Sequence, residues 1–205
     1  MSTDDDVFIA DSADVDERAD VGPGTRIWHL AQVREGARIG GGSNIGRGAY
    51  IGPDVVVGEN CKIQNYALVY EPARLANGVF IGPAAVLTND EFPRAVNPDG
   101  SAKSPDDWRP VGVTIEEGAS VGGRAVCIAP VTIGAWSLVA AGAVVTKDVP
   151  PHALVVGVPA RRVAWVGRAG RPLIAEGGDL VCPVTGERYR EDAGALRLVS
   201  QAGDR

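Results

Sequence analysis

The sequence predicts an all-β protein, a parallel β-solenoid with three flat faces, and three observations predict it. Every sixth residue from Ile9 is aliphatic: Ile9, Val15, Val21, Ile27, Val33, Ile39, Ile45, Ile51, Val57, Ile63, Val69, Leu75, Ile81 and Leu87 follow one another without exception. Two positions before each aliphatic, from Ala13 to Ala85, the side chain is nearly always small, as at Ala31, Ala37, Ser43, Ala49 and Ala67. Glycine often follows the aliphatic, as at Gly22, Gly40, Gly46, Gly52, Gly58 and Gly82.

A period of six fits neither the 3.6 of a helix nor the plain alternation of a long strand, but it fits a short strand followed by a turn. The small and aliphatic residues, two apart, then share one face of each strand. Three such units close a coil of about eighteen residues, and coils stacked about 4.8 Å apart bring equivalent side chains into interior ladders. The series resumes after an interruption as Ile115, Val121, Cys127, Ile133, Val139 and Val145, which brings the units to nearly seven coils. Only 5% of residues are aromatic, so small and aliphatic side chains must fill this interior.

The chain divides into a solenoid domain over 7–150 and a C-terminal extension over 151–205. Residues 88–112, reading TNDEFPRAVNPDGSAKSPDDWRPVG, are too polar and proline-rich for a coil. They predict a loop insertion, and a long loop in an otherwise regular solid is more often functional than incidental. Pro150 and Pro151 end the coils, and the segment around Pro183, Val184, Thr185 and Gly186 predicts a small hairpin in the tail.

Cys61, Cys127 and Cys182 are odd in number, far apart and without CxxC spacing, which argues against a disulfide framework or a zinc knuckle and fits a reducing cytoplasm. The first residues, with Asp4, Asp5 and Asp6, lack the basic start of a signal peptide, and no stretch is long and apolar enough to cross a membrane as a helix. Net charge is −6 and unevenly placed: residues 1–20 hold eight acids against Arg18, whereas 142–174 hold Lys147, Arg161, Arg162, Arg168 and Arg171 against Asp148. The acidic chain has no basic stripe interleaved with aromatics, so nucleic acid is a poor partner, but an anion suits its C-terminal part. With two histidines, no metal site is expected.

The residue two places after each interior aliphatic falls at an edge of the prism and points outward. One edge reads His29, Arg47, Asn65, Pro83 and the next reads Glu35, Pro53, Glu71, Asn89, both at eighteen-residue spacing. A lining of His, Arg, Asn and carboxylate suits a polar, anionic substrate, above all where a second subunit completes the cleft.

The repeat over about residues 7–160 resembles the hexapeptide-repeat acyltransferases, and the resemblance implies a left-handed parallel β-helix assembled as a homotrimer. The ending AGAVVTKDVP followed by GVPAR looks like the segment of those enzymes that contacts coenzyme A, which assigns Ala141, Gly142, Lys147 and Arg161 to acetyl-CoA. The segments TRIWHLAQV (25–33), CKIQNYALVYE (61–71) and VFIGPAAVLTNDEFPRA (79–95) resemble N-acetyltransferases of nucleotide-linked 3-amino sugars. Their type is the UDP-2-acetamido-3-amino-2,3-dideoxyglucuronate N-acetyltransferase, together with dTDP-linked relatives.

That likeness implies a bacterial cytoplasmic enzyme of surface polysaccharide (O-antigen, lipopolysaccharide) synthesis that acetylates a UDP- or dTDP-linked amino sugar. Asn89 would hold the sugar amine beside the thioester, and His29 is the one histidine of the coils able to accept a proton. Gln64, Asn65 and Arg94 are further candidates for the nucleotide sugar. Relatives carry a second histidine after Trp-His, and this chain has Gln32 at that place.

Other functions weigh against this. A zinc carbonic anhydrase on this fold needs three histidine ligands, and a sugar nucleotidyltransferase needs a further nucleotide-binding domain. O-acetylation of a serine or sugar hydroxyl stays open, as does a non-catalytic solenoid that scaffolds or binds nucleotide sugars.

Overall fold

A computed structural model describes residues 6–200; Asp4 and Asp5 of the acidic N-terminus lie outside the described residues. The chain forms the expected parallel β-helix, matching the left-handed hexapeptide fold. Each six-residue unit supplies a strand of two or three residues and a turn. The strands stack into three parallel sheets, the faces of a prism. The first face runs from Phe8–Ile9 through Arg26–Ile27 to Leu138–Val139 and Ala153–Val156. The second runs from Asp14–Val15 to Val144–Val145, and the third from Asp20–Val21 to Val131–Ile133. Seven coils are complete and Ala153–Val156 opens an eighth level, slightly more than the sequence spacing alone implied.

Register follows the eighteen-residue coil. Ile45 pairs with Ile63 and Ile63 with Ile81, and the coils are joined by bonds such as Lys62 N–H to Val79 O at 2.9 Å. The aliphatic and small series both point inward: Ile27, Ile45, Ile63, Ile81 and Ala31, Ala67, Ala85 are fully buried. The first coil is the open end, where Ile9 is 45% exposed because no coil covers it from below. Thr25, Ser43 and Cys61 stack eighteen apart inside the first face, and the two hydroxyls donate to Gly40 O at 3.0 Å and Gly58 O at 3.1 Å. These buried polar groups are thereby satisfied rather than stranded.

Turn chemistry repeats at the edges. The second turn residue takes a left-handed backbone, for example Gly36 (φ 69), Asn60 (φ 56) and Tyr66 (φ 60). Its N–H bonds the carbonyl of the coil below, as in Tyr66 to Arg47 O at 2.9 Å, so each edge carries its own hydrogen-bond ladder. The insertion leaves at Asn89 and returns at Val111, whose N–H donates to Asn89 O at 3.1 Å. Its one helical turn, Pro105–Asp107, is a 3-10 turn capped by Asp107 on Ser104.

The tail differs from expectation. The hairpin around Pro183–Gly186 is present between Asp179–Val181 and Arg188–Asp192, but it belongs to a four-stranded antiparallel sheet with Ile174–Glu176 and Ala195–Ser200. That sheet is tied to the solenoid through Tyr189, 1% exposed, whose ring lies 5.2 Å from His152, and through Trp165 Nε1, which donates to Glu191 at 2.7 Å. Arg188 and Arg190 converge on Asp179 within it.

Coils approach most closely beneath the glycines that follow the aliphatics. A Cβ on Gly40 would stand 2.6 Å from the backbone of Gly58 and Glu59, which cannot retreat without breaking the ladder. Gly40→Ala is expected to cost about 1–3 kcal/mol of stability, read from the midpoint of urea unfolding; an unchanged midpoint would contradict the close stacking.

Candidate functional site

The edge between the first and second faces climbs through Trp28 and His29, Gly46 to Gly48, Gln64 to Tyr66, Pro83 and Ala84, Gly123 and Arg124, and then Ala141 and Gly142. A cavity of about 320 Å³ is lined by Trp28, His29, Asn44, Arg47, Gln64 and Asn65. A second, of about 520 Å³, is lined by Asn65, Tyr66, Pro83, Ala84, Gly123 and Arg124. Sharing Asn65, the two form one groove along the edge, and the structure therefore brings together His29, Gln64 and Asn65.

The walls of this groove are held in place by the coils. His29 Nδ1 lies 2.9 Å from Ser12 Oγ on the coil below, and the Asn65 Oδ1 accepts the Arg47 N–H at 3.0 Å. Trp28 Nε1 donates to Asn44 Oδ1 at 2.9 Å, and Arg47 Nε donates to the Tyr66 hydroxyl at 3.3 Å. Gly48 makes room for that tyrosine, because a Cβ there would meet its ring at 2.5 Å. Among the described residues neither Arg47 nor Arg124 joins an ion pair, so both bring uncompensated positive charge to the groove.

Asn89 stands elsewhere. It occupies the edge between the second and third faces, above Glu71, where the insertion begins. Its side-chain amide makes no hydrogen bond among the described residues. One chain therefore does not bring Asn89 and His29 together: they lie on different edges and three coils apart. Arg94 is exposed within the insertion and donates to its neighbour Pro93 O at 2.9 Å. Lower on this second edge, Glu35 is taken up by Arg34 at 2.8 Å, a contact that holds its carboxyl below the usual range, while the Oε2 of Glu71 is buried without a partner.

At the far end of the second edge, Lys147, Arg161 and Arg162 line a cavity of about 290 Å³ with Asp148, Pro150 and Ala160. The chain folds back here: Ala160 N–H donates to Val144 O at 2.8 Å and Val144 N–H to Gly157 O at 3.0 Å, which lays the GVPAR segment across the last coil of the second face. Lys147 and Arg161 thus share one cavity. Ala141 and Gly142 lie on the same coil at the first edge, separated from them by one strand of the second face. Arg162 stacks its guanidinium 4.0 Å from the Trp165 ring centre and pairs with Glu191 at 3.2 Å.

Reasoning from sequence left out Trp28, Asn44, Tyr66, Arg124 and Arg162 as site residues. The flanks of the first-edge ladder would have found Trp28, Tyr66 and Arg124, which adjoin ladder positions. No group of three or more His, Cys, Asp or Glu able to hold a metal occurs among the described residues.

The family described as "Hexapeptide repeat of succinyl-transferase" matches residues 36–66 and 112–147. Serine acetyltransferase of Escherichia coli (strain K12) is 37% identical over 89 residues, covering 43% of this chain and 32% of the enzyme. Bifunctional protein GlmU of Nitratidesulfovibrio vulgaris is 35% identical over 165 residues, covering 74% of this chain and 30% of that protein. The chain thus spans about a third of the length of these curated relatives. Among solved structures, the acetyltransferase domain of PglB from Neisseria gonorrhoeae FA1090, in complex with acetyl coenzyme A, superposes with a TM-score of 0.51 at 22% identity, covering 77% of this chain and 57% of that one. An acetyltransferase from Bacillus cereus gives 0.54 at 18% identity, covering 80% of each chain. The two structures share the fold, and the family model and the sequence relatives match the chain across its six-residue repeat.

None of the coil cysteines is fit to carry an acyl group. Burial pushes the Cys61 thiol up and that of Cys127 to about 12, so neither forms the thiolate that a nucleophile requires. In the native protein at pH 8, iodoacetamide is expected to leave both unmodified by mass spectrometry until denaturant is added; native labelling at Cys127 would contradict this.

Proposed function

We propose that the chain is an acetyl-CoA-dependent N-acetyltransferase whose acceptor is the amine of a nucleotide-linked 3-amino sugar, UDP- or dTDP-linked, made for a bacterial surface polysaccharide. The observation that carries the reading is the pair of Lys147 and Arg161 in one cavity at the end of the coils. Two cations at that place suit the phosphates of coenzyme A, and Ala141 and Gly142 present the coil wall along which its pantetheine arm would run. The likeness to serine acetyltransferase and GlmU supports an acyltransferase.

The chemistry asks little of a base. The amine nitrogen attacks the thioester carbonyl, a C–N bond forms, the C–S bond breaks, the coenzyme A thiolate leaves, and the proton lost by the amine passes to His29 and on to the thiolate. Alignment of the two reactants supplies most of the acceleration, and the Asn89 amide orients the amine. Backbone N–H groups of the coil wall would stabilise the developing oxyanion. His29 and Asn89 occupy different edges, so a site that uses both would form between copies of the chain, and the assembly proposed for it is a homotrimer. The outer surface of the second face supports that assembly: Tyr50, Leu68, Val86, Val126 and Val144 make a continuous apolar ladder of partly buried side chains.

The serine acetyltransferase likeness favours a second reading, transfer to a hydroxyl with His29 as general base. A panel of nucleotide amino sugars and L-serine, with acetyl-CoA and detection by mass spectrometry, separates the two. For the first reading, Asn89→Ala is expected to lower kcat on the amino sugar about a hundredfold, and Lys147→Ala or Arg161→Ala to raise the KM for acetyl-CoA about tenfold. Wild-type kcat in Asn89→Ala would sink the amine-orienting role. A melting temperature unmoved by acetyl-CoA would instead support a non-catalytic scaffold.

A further inference from the structure

The first-edge groove has a direction. It carries an aromatic ring at its lower end, an uncompensated guanidinium one coil above, and a second uncompensated guanidinium three coils higher. Trp28 is 37% exposed and lines the lower cavity. Its ring is fixed rather than free, because Nε1 donates to Asn44 and Phe8 packs against it with centroids 5.4 Å apart at a 56° tilt. Arg47 is anchored by Nε to the Tyr66 hydroxyl, and its two terminal nitrogens make no hydrogen bond among the described residues.

An oriented aromatic plane next to a guanidinium with free donors matches a heteroaromatic base joined to phosphate. We infer that Trp28 is the stacking platform for the nucleobase of a nucleoside diphosphate and that Arg47 holds the diphosphate, so that the acceptor lies base-down along the edge with its sugar directed to the cavity of Tyr66 and Arg124.

Polarity follows from the levels of the coils. Trp28 lies on the second coil, Arg47 on the third, and Pro83 and Ala84 on the fifth, the level at which Asn89 stands on the other edge. From the second to the fifth coil is about 14 Å at the spacing of stacked strands. Copies related by an axis parallel to the solenoid keep equal coils level, so a neighbour's Asn89 meets the upper cavity and not the lower one. Lys147 and Arg161 sit higher still, so a thioester held from there descends towards the fifth coil while the base occupies the second. The inference rests on the proposed acceptor but goes further, since it fixes which end of that acceptor each residue reads.

Fluorescence titration with UDP, GDP and inorganic pyrophosphate tests it in the full chain. UDP or GDP is expected to quench tryptophan emission in the wild type, and Trp28→Leu to weaken nucleotide binding about tenfold, the size of one base-stacking contact. Trp28→Phe should retain most of the affinity. Pyrophosphate binding should be unchanged in Trp28→Leu and weakened in Arg47→Ala. Nucleotide affinity at the wild-type level in Trp28→Leu, with loss in Arg124→Ala, would overturn the inference and reverse the polarity while leaving the proposed acceptor intact. No binding of any nucleotide to the wild type at millimolar concentration would overturn the inference together with the proposed acceptor.

Discussion

The backbone hydrogen bonds between successive coils govern everything else in this molecule. Each strand of two or three residues is too short to be stable alone, and it persists only because its N–H and C=O groups pair with the coils above and below. Once that register is set, a residue cannot change its edge: His29, Arg47 and Asn65 must stack on one and Glu71 and Asn89 on another. A site needing side chains from both edges cannot be assembled by bending the chain, and the only remaining route is a second copy.

The same side chains serve stacking and recognition. Asn65 caps the Arg47 N–H with its Oδ1, and Asn77 does the same for the Glu59 N–H at 2.9 Å on the third edge, so asparagine at a turn is first a device for joining coils. The first edge also carries charge without an acidic partner. Arg34 and Arg18 are each spent on a neighbouring carboxylate, with Asp16 held at about 2 by Arg18, whereas Arg47 and Arg124 point into open cavities unpaired. Surface ion pairs contribute little to stability, so leaving these two arginines unpaired costs the fold little and keeps an anion site available.

Much of this was legible in the sequence because a period of six leaves little freedom. The inward series, the edge ladders with His29 and Asn89, the insertion and the basic ending at Lys147 and Arg161 all follow from counting. The tail was less legible: Ile174–Glu176 and Arg188–Asp192 show no clean alternation of apolar and polar residues, and their sheet is joined by antiparallel strand pairing and anchored by burial of Tyr189 against His152. The groove was legible only in part, because a cavity depends on side chains beside the ladder. Trp28 and Asn44 belong to different coils, as do Arg47 and Tyr66, and only the stacked structure shows that each pair meets.

The most direct test of the account mixes two inactive chains. Asn89→Ala and His29→Ala variants, co-expressed with different tags and purified as mixed assemblies, would be assayed for acetyl transfer beside each variant alone. If the two edges meet between copies, interfaces that combine an intact His29 with an intact Asn89 restore activity to the mixture. Mixed assemblies no more active than the variants separately would contradict a site built across two chains.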